Sequence, residues 1–186
     1  MTKRLGLYVL VVLIMIVSIS NTFIILQVNH IILTSCLERS YQLDNIVYVY
    51  TDGSSDYKEG TYGSGAVLLD SPRDDAKIIS EVSKGGAKKA LAKYNNVTGE
   101  VLACCYGIEK AVKLGYKQVV VYVDYIGLIK WYEGSWQARN ILSQTYIKML
   151  REYQKHITIE FVKVKGHSNT KWNDYVDDLA KKSIGK

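Results

Sequence analysis

The stretch KQVVVYVD, residues 117–124, constrains the fold more than any other part of the chain. Its apolar residues run consecutively instead of alternating, so the strand it predicts must be covered on both faces, as in the middle of a sheet with helices packed on it. That strand ends on a carboxylate, Asp124. A second strand, predicted over residues 46–52, alternates in Val and Tyr and also delivers an acid, Asp52. Gly53-Ser54-Ser55-Asp56 and Gly60 follow it as turn chemistry.

The remaining pattern places both strands in one architecture. Residues 63–70 and 76–83 read as two further strands, which with 46–52 make an antiparallel meander. Thr98 is a suitable N-cap for a helix running to about Leu114, where Gly115 supplies a stop. On that helix Glu100, Cys104, Gly107 and Ala111 share one stripe, whose small residues would let it lie close to a sheet. Residues 138–153 have helical spacing, with Ile141, Tyr146, Met149 and Leu150 as core candidates. Residues 157–164 alternate as a strand, and 171–183 form a last helix. A meander followed by alternating strand and helix predicts an α/β fold. Its sheet would be mixed and five-stranded, an antiparallel meander and then parallel strands, with helices packed on it.

A chain of 186 residues suits one domain plus an appendage. The 23% of charged residues and the single proline, Pro72, argue against extensive disorder. The net charge of +6 suggests a polyanionic partner such as nucleic acid. Cys36, Cys104 and Cys105 lack CxxC spacing, so they indicate neither a disulfide framework nor a zinc site, and read as small apolar side chains in a reducing compartment.

The appendage is a leader, residues 1–45, ahead of a globular domain at 46–186. Residues 5–37 carry no charge and follow Lys3 and Arg4. The segment has enough apolar length for an N-terminal helix anchored in a membrane through residues 5–33. Its basic start and the small-x-small Ser18-Ile19-Ser20 also fit a signal peptide. A third possibility is that translation starts downstream and the leader is not made.

Three acids occupy positions that core formation does not explain: Asp52 and Asp124 at strand ends, and Glu100 at a helix start. In open sheets ligand sites gather at strand ends, so the three can converge. Asp177, one helical turn after Asn173, is a fourth candidate. Carboxylates packed together repel and desolvate poorly, so such a cluster calls for cations, and hard oxygen ligands suit Mg²⁺ or Mn²⁺. Taken singly, each acid has an ordinary alternative. Asp52 before Gly53 suits a turn, Glu100 a helix dipole, Asp124 a loop and Asp177 a solvated helix face.

Five motifs in order, YTDGS, TGEVLACCYGIEKA, VVVYVD, KVKGHS and NDYVDDLAKK, make residues 46–182 resemble the type 1 ribonuclease H family, endonucleases that cut the RNA strand of RNA/DNA hybrids. The resemblance implies the ribonuclease H-like fold and a two-metal mechanism with two Mg²⁺ ions, for which Mn²⁺ can substitute. It makes Asp52, Glu100, Asp124 and Asp177 the metal-binding acids, with Asp52 bridging both ions. His167 matches the loop histidine proposed to help proton transfer or product release. Ser54, Lys93, Asn95, Asn96, Trp136, Asn140 and Asn173 match positions that contact or support the substrate, and Trp131 stands where some members pack an aromatic group along the DNA. A hybrid partner, no small-molecule cofactor, a monomer and a cytoplasmic setting are implied, unless the leader anchors or exports the chain. The segment 131–140 is too short for the extended basic handle of some members, and Val97 replaces a frequent polar residue. A catalytically silent binder of hybrid or double-stranded RNA on the same fold is the alternative.

Overall fold

The computed structural model describes residues 45–166 and 170–186. The leader, with the apolar helix expected there, and His167 lie outside the described residues. Among the described residues no helix is long and apolar enough to cross a membrane.

Five strands, β1 (Ile46–Asp56), β2 (Thr61–Leu69), β3 (Ile78–Gly86), β4 (Gln118–Val123) and β5 (Thr158–Lys163), form one sheet in the order β3-β2-β1-β4-β5. β1, β2 and β3 pair antiparallel, whereas β4 pairs parallel with β1 and with β5. The helices are α1 (Lys89–Ala92), α2 (Asn96–Lys113), α3 (Ile126–Tyr132), α4 (Ile141–Tyr153) and α5 (Lys171–Lys182). The expected mixed sheet is therefore present, with β4 at its interior.

Alternation along the strands builds two cores. Val47, Val49, Val119, Val121 and Val123 join Cys104, Ile108, Leu128, Tyr146 and Leu150 of α2, α3 and α4 in the larger one. Tyr50, Val67 and Leu69 meet Trp172 and Val176 of α5 in the smaller. Tyr50 stacks on its parallel partner Tyr122 with ring centroids 4.3 Å apart. Burying a side chain of this kind contributes roughly 1.5–3 kcal/mol, so the larger core carries most of the stability.

Several expectations are corrected. The first strand does not stop at Asp52: it runs to Asp56, because Gly53, Ser54 and Ser55 continue the ladder opposite Ser64, Gly63 and Tyr62, and the turn comes at residues 57–60. The long helix begins at Asn96, two residues before the expected cap position. Thr98 lies inside it and donates its hydroxyl to the Leu91 carbonyl. Ile141 is 58% exposed and outside the core, since it opens α4 on the solvent side. α1 and α3 were not anticipated; α3 has only seven residues, too few for a clear period, and is held by burial of Leu128, Ile129 and Trp131.

Candidate active site

Asp52 on β1, and Asp124 just past the end of the parallel neighbour β4, stand two residues beyond the paired Tyr50 and Tyr122. Glu100 reaches them from the first turns of α2. One carboxylate oxygen from each of the three lies within 4.8 Å of the others. Asp52 is 7% exposed and Glu100 3% exposed, while Asp124 is half-buried.

Glycines make this convergence possible. A Cβ on Gly99 would fall on the Gly63 carbonyl oxygen and lie 2.8 Å from the Gly53 Cα. One on Gly53 would lie 2.6 Å from the Asn96 carbonyl oxygen. Helix α2 therefore crosses β1 with backbone against backbone, close enough for the Glu100 side chain to enter the space beside Asp52. On the other face, Gly65, the ladder partner of Asp52, leaves room for the backbone of α5 at Val176 and Ala180. The sequence shows these glycines, but their pairing across elements is not visible before the chain folds.

The cluster is electrostatically uneasy without a cation. Burial, and then the charge of Asp124, push the Asp52 carboxyl up to about 6; Asp177 adds to this, while contact with Glu100 and the Gly53 N–H oppose it. Glu100 is raised well above the ordinary carboxylate range, by burial first and then by Asp52 and Asp124. The Gly53 N–H donates to Asp52 Oδ1 at 2.7 Å and fixes that carboxylate. Glu100 Oε2 is buried and has no hydrogen-bond partner. When all three groups are ionised, the Glu100 carboxylate lies beside two others that can only accept hydrogen bonds. A divalent cation fits that need and that all-oxygen donor set. Gly166 completes the wall, since a Cβ there would sit 2.9 Å from Asp124 Oδ2.

Asp177 is not one of the three mutually close acids. It lies on α5 with its side chain 22% exposed, and its Oδ2 is 2.5 Å from the Lys181 ammonium. Its charge still acts on Asp52, so it belongs to the same electrostatic neighbourhood. Lys181 is absent from the sequence expectations; its signal was the i,i+4 spacing to Asp177.

The expected substrate residues are spread over several elements. Ser54 is half-buried on β1, two residues after Asp52. Lys93, Asn95 and Asn96 are exposed at the entry to α2, and Asn95 takes a left-handed φ of 54° that is uncommon outside glycine. Asn140 caps a helix, since its Oδ1 accepts from the Ser143 N–H at 2.9 Å in a capping box on α4. Trp136 is 45% exposed, whereas Trp131 is buried edge-on to Tyr125 and Tyr146 and is a core residue. Asn173 is buried on α5.

Comparison with known proteins bears on the family and the fold. The RNase H family model matches residues 44–184. Ribonuclease H from Caldanaerobacter subterraneus subsp. tengcongensis is 31% identical over 157 residues, which cover 77% of this chain and 94% of that protein. Among solved structures, ribonuclease H1 from the halophilic archaeon Halobacterium salinarum superposes with a TM-score of 0.63 at 21% identity, covering 75% of this chain and 97% of that one. LC11 ribonuclease H1, solved in complex with an RNA/DNA hybrid, gives 0.59 at 16% identity, covering 75% and 99%. At those identities the two structures bear on the fold.

Proposed function

Because the chain belongs to the ribonuclease H family and is a ribonuclease H enzyme, we propose that it hydrolyses the RNA strand of RNA/DNA hybrids with two divalent ions, Mg²⁺ or Mn²⁺, leaving a 5′-phosphate and a 3′-hydroxyl. The observation that carries this is the meeting of Asp52, Glu100 and Asp124, from three separate elements, around a buried Glu100 oxygen that has no partner. The hybrid bound in the LC11 structure and the positive net charge support the choice of substrate.

Asp52, Glu100, Asp124 and Asp177 would hold the ions, with Asp52 shared between both. Bound there, the ions would supply an activated water and offset charge on the leaving oxygen. The chain's own contribution is placement. The Gly53 N–H occupies one oxygen of Asp52 and orients the other. The glycine crossing sets Glu100 at its depth, and Asn173, buried on α5 one turn before Asp177, would support that helix. Ser54, Asn95 and Asn96 are suited to the RNA strand, whose 2′-hydroxyls a selective nuclease must sense. Lys93, the amide nitrogen of Asn140 and the exposed Trp136 are suited to the DNA strand, as phosphate contacts and as a flat apolar surface. His167 would carry a proton or help product leave.

The test is cleavage of a labelled RNA/DNA hybrid by the full-length chain with Mg²⁺ or Mn²⁺, beside single-stranded RNA. We expect hybrid-specific, metal-dependent cutting, lowered at least about a thousandfold in Asp52→Asn, with hybrid binding retained. A folded wild type that binds the hybrid without cutting it would sink the enzymatic reading and leave a binding module.

A further inference from the structure

Lys181 is unlike the other lysines on α5, because its ammonium sits inside the field of the acidic site. It is 2.5 Å from Asp177 Oδ2, and both Asp178 and Asp52 add to the attraction, which raises the lysine above its ordinary range. Its backbone is anchored. The neighbouring Ala180 packs where Gly63 and Gly65 have no side chain, and the carbonyl of Leu179 accepts from the Ser83 hydroxyl at 2.8 Å. The lysine side chain is 46% exposed, so solvent is available as an alternative to its place beside Asp177.

We propose that Lys181 is a built-in counter-ion that competes with a divalent cation for the Asp177 side of the acidic site. The inference rests on the metal-dependent reading above and concerns how that site is regulated. In the resting protein the ammonium neutralises Asp177 and part of the field on Asp52, while Glu100 on the opposite side has no such partner. An ion shared by Asp52 and Asp177 would stand beside this positive charge, so loading that side requires the lysine to swing away to solvent. The two sides of the site then differ in affinity. The Asp52–Glu100–Asp124 side binds without competition, and the Asp177 side binds weakly and exchanges readily. An ordinary i,i+4 surface pair would instead leave metal affinity untouched.

The experiment is an equilibrium titration of the full-length chain with Mn²⁺, reading free Mn²⁺ by its electron paramagnetic resonance signal. Wild type, Lys181→Met and Lys181→Arg are compared, with far-UV circular dichroism confirming that each is folded. Removing one positive charge next to a doubly charged ion, screened by solvent and salt, should tighten the weakest binding class about fivefold in Lys181→Met. Lys181→Arg, which keeps the charge, should bind no more tightly than wild type. A Lys181→Met curve that overlays wild type or lies at weaker affinity overturns the inference while leaving the metal site intact. A wild type that binds no Mn²⁺ overturns the metal reading itself, and the inference with it.

Discussion

Glu100 and Asp177 approach Asp52 from different helices and meet opposite environments. Glu100 is 3% exposed with one oxygen unpartnered, whereas the Asp177 side chain is 22% exposed and held by an ammonium 2.5 Å away. The first side is forced into place by a glycine crossing that admits no side chain. The second rests on the surface of α5 with a cation supplied by the same helix. The difference teaches that one acidic site can hold stored repulsion on one side and a satisfied ion pair on the other. The buried side is then the one that gains most when a cation arrives.

The sharpest way to break this contrast is at the crossing. Gly99→Ala places a Cβ against the Gly63 carbonyl and the Gly53 Cα, neither of which can yield without moving the helix from the sheet. We expect a loss of about 3 kcal/mol by chemical denaturation, with cleavage falling further than stability because Glu100 is drawn away from Asp52. Unchanged stability would show that the crossing is looser than described.

A smaller effect of opposite sign is expected from removing the repulsion. Asp52 has its folded carboxyl raised to about 6 from the usual 3.8, so in metal-free protein its contribution to stability is fully present below about 4 and is lost as pH rises through about 6. Without metal, Asp52→Asn should therefore be more stable than wild type at pH 8, by about 1–3 kcal/mol, and the advantage should vanish toward pH 4. Thermal melts in chelator across that range would show it. A wild type that is the more stable at pH 8 would mean that Asp52 is not repelled.

The smallest effect belongs to the other side. Asp177→Asn loses an exposed ion pair and should move the metal-free melting midpoint by no more than about 2 °C at pH 8. Its activity should nonetheless fall strongly with Mg²⁺. If the midpoint instead rose as far as in Asp52→Asn, the two sides would be electrostatically alike and the comparison would collapse.

Much of this could be read from residues alone, since consecutive Val in β4 and alternating Val and Tyr in β1 leave few ways to cover their faces. The acids were also legible, because Asp52, Glu100 and Asp124 interrupt elements whose pattern otherwise serves burial. Element ends were less so. Gly53-Ser54-Ser55 has turn composition, yet it extends β1 because the ladder to β2 supplies hydrogen bonds that local preference does not foresee. Ile141 looked like core and is exposed, and Asn140, expected at a substrate-contacting position, serves as a helix cap.

What the sequence by itself determined is the order of the five strands and the three longer helices, the α/β class and the supply of carboxylates near strand ends and helix starts. These depend on period, composition and local capping, all of which act over a few neighbouring residues. Only the tertiary structure decided that Gly53, Gly63 and Gly99 meet, that Trp131 is buried while Trp136 is not, and that one Glu100 oxygen is left without a hydrogen-bond partner while Asp177 is paired with Lys181. Those outcomes depend on the register and close approach of elements far apart in the chain, where a few tenths of an ångström separate contact from collision.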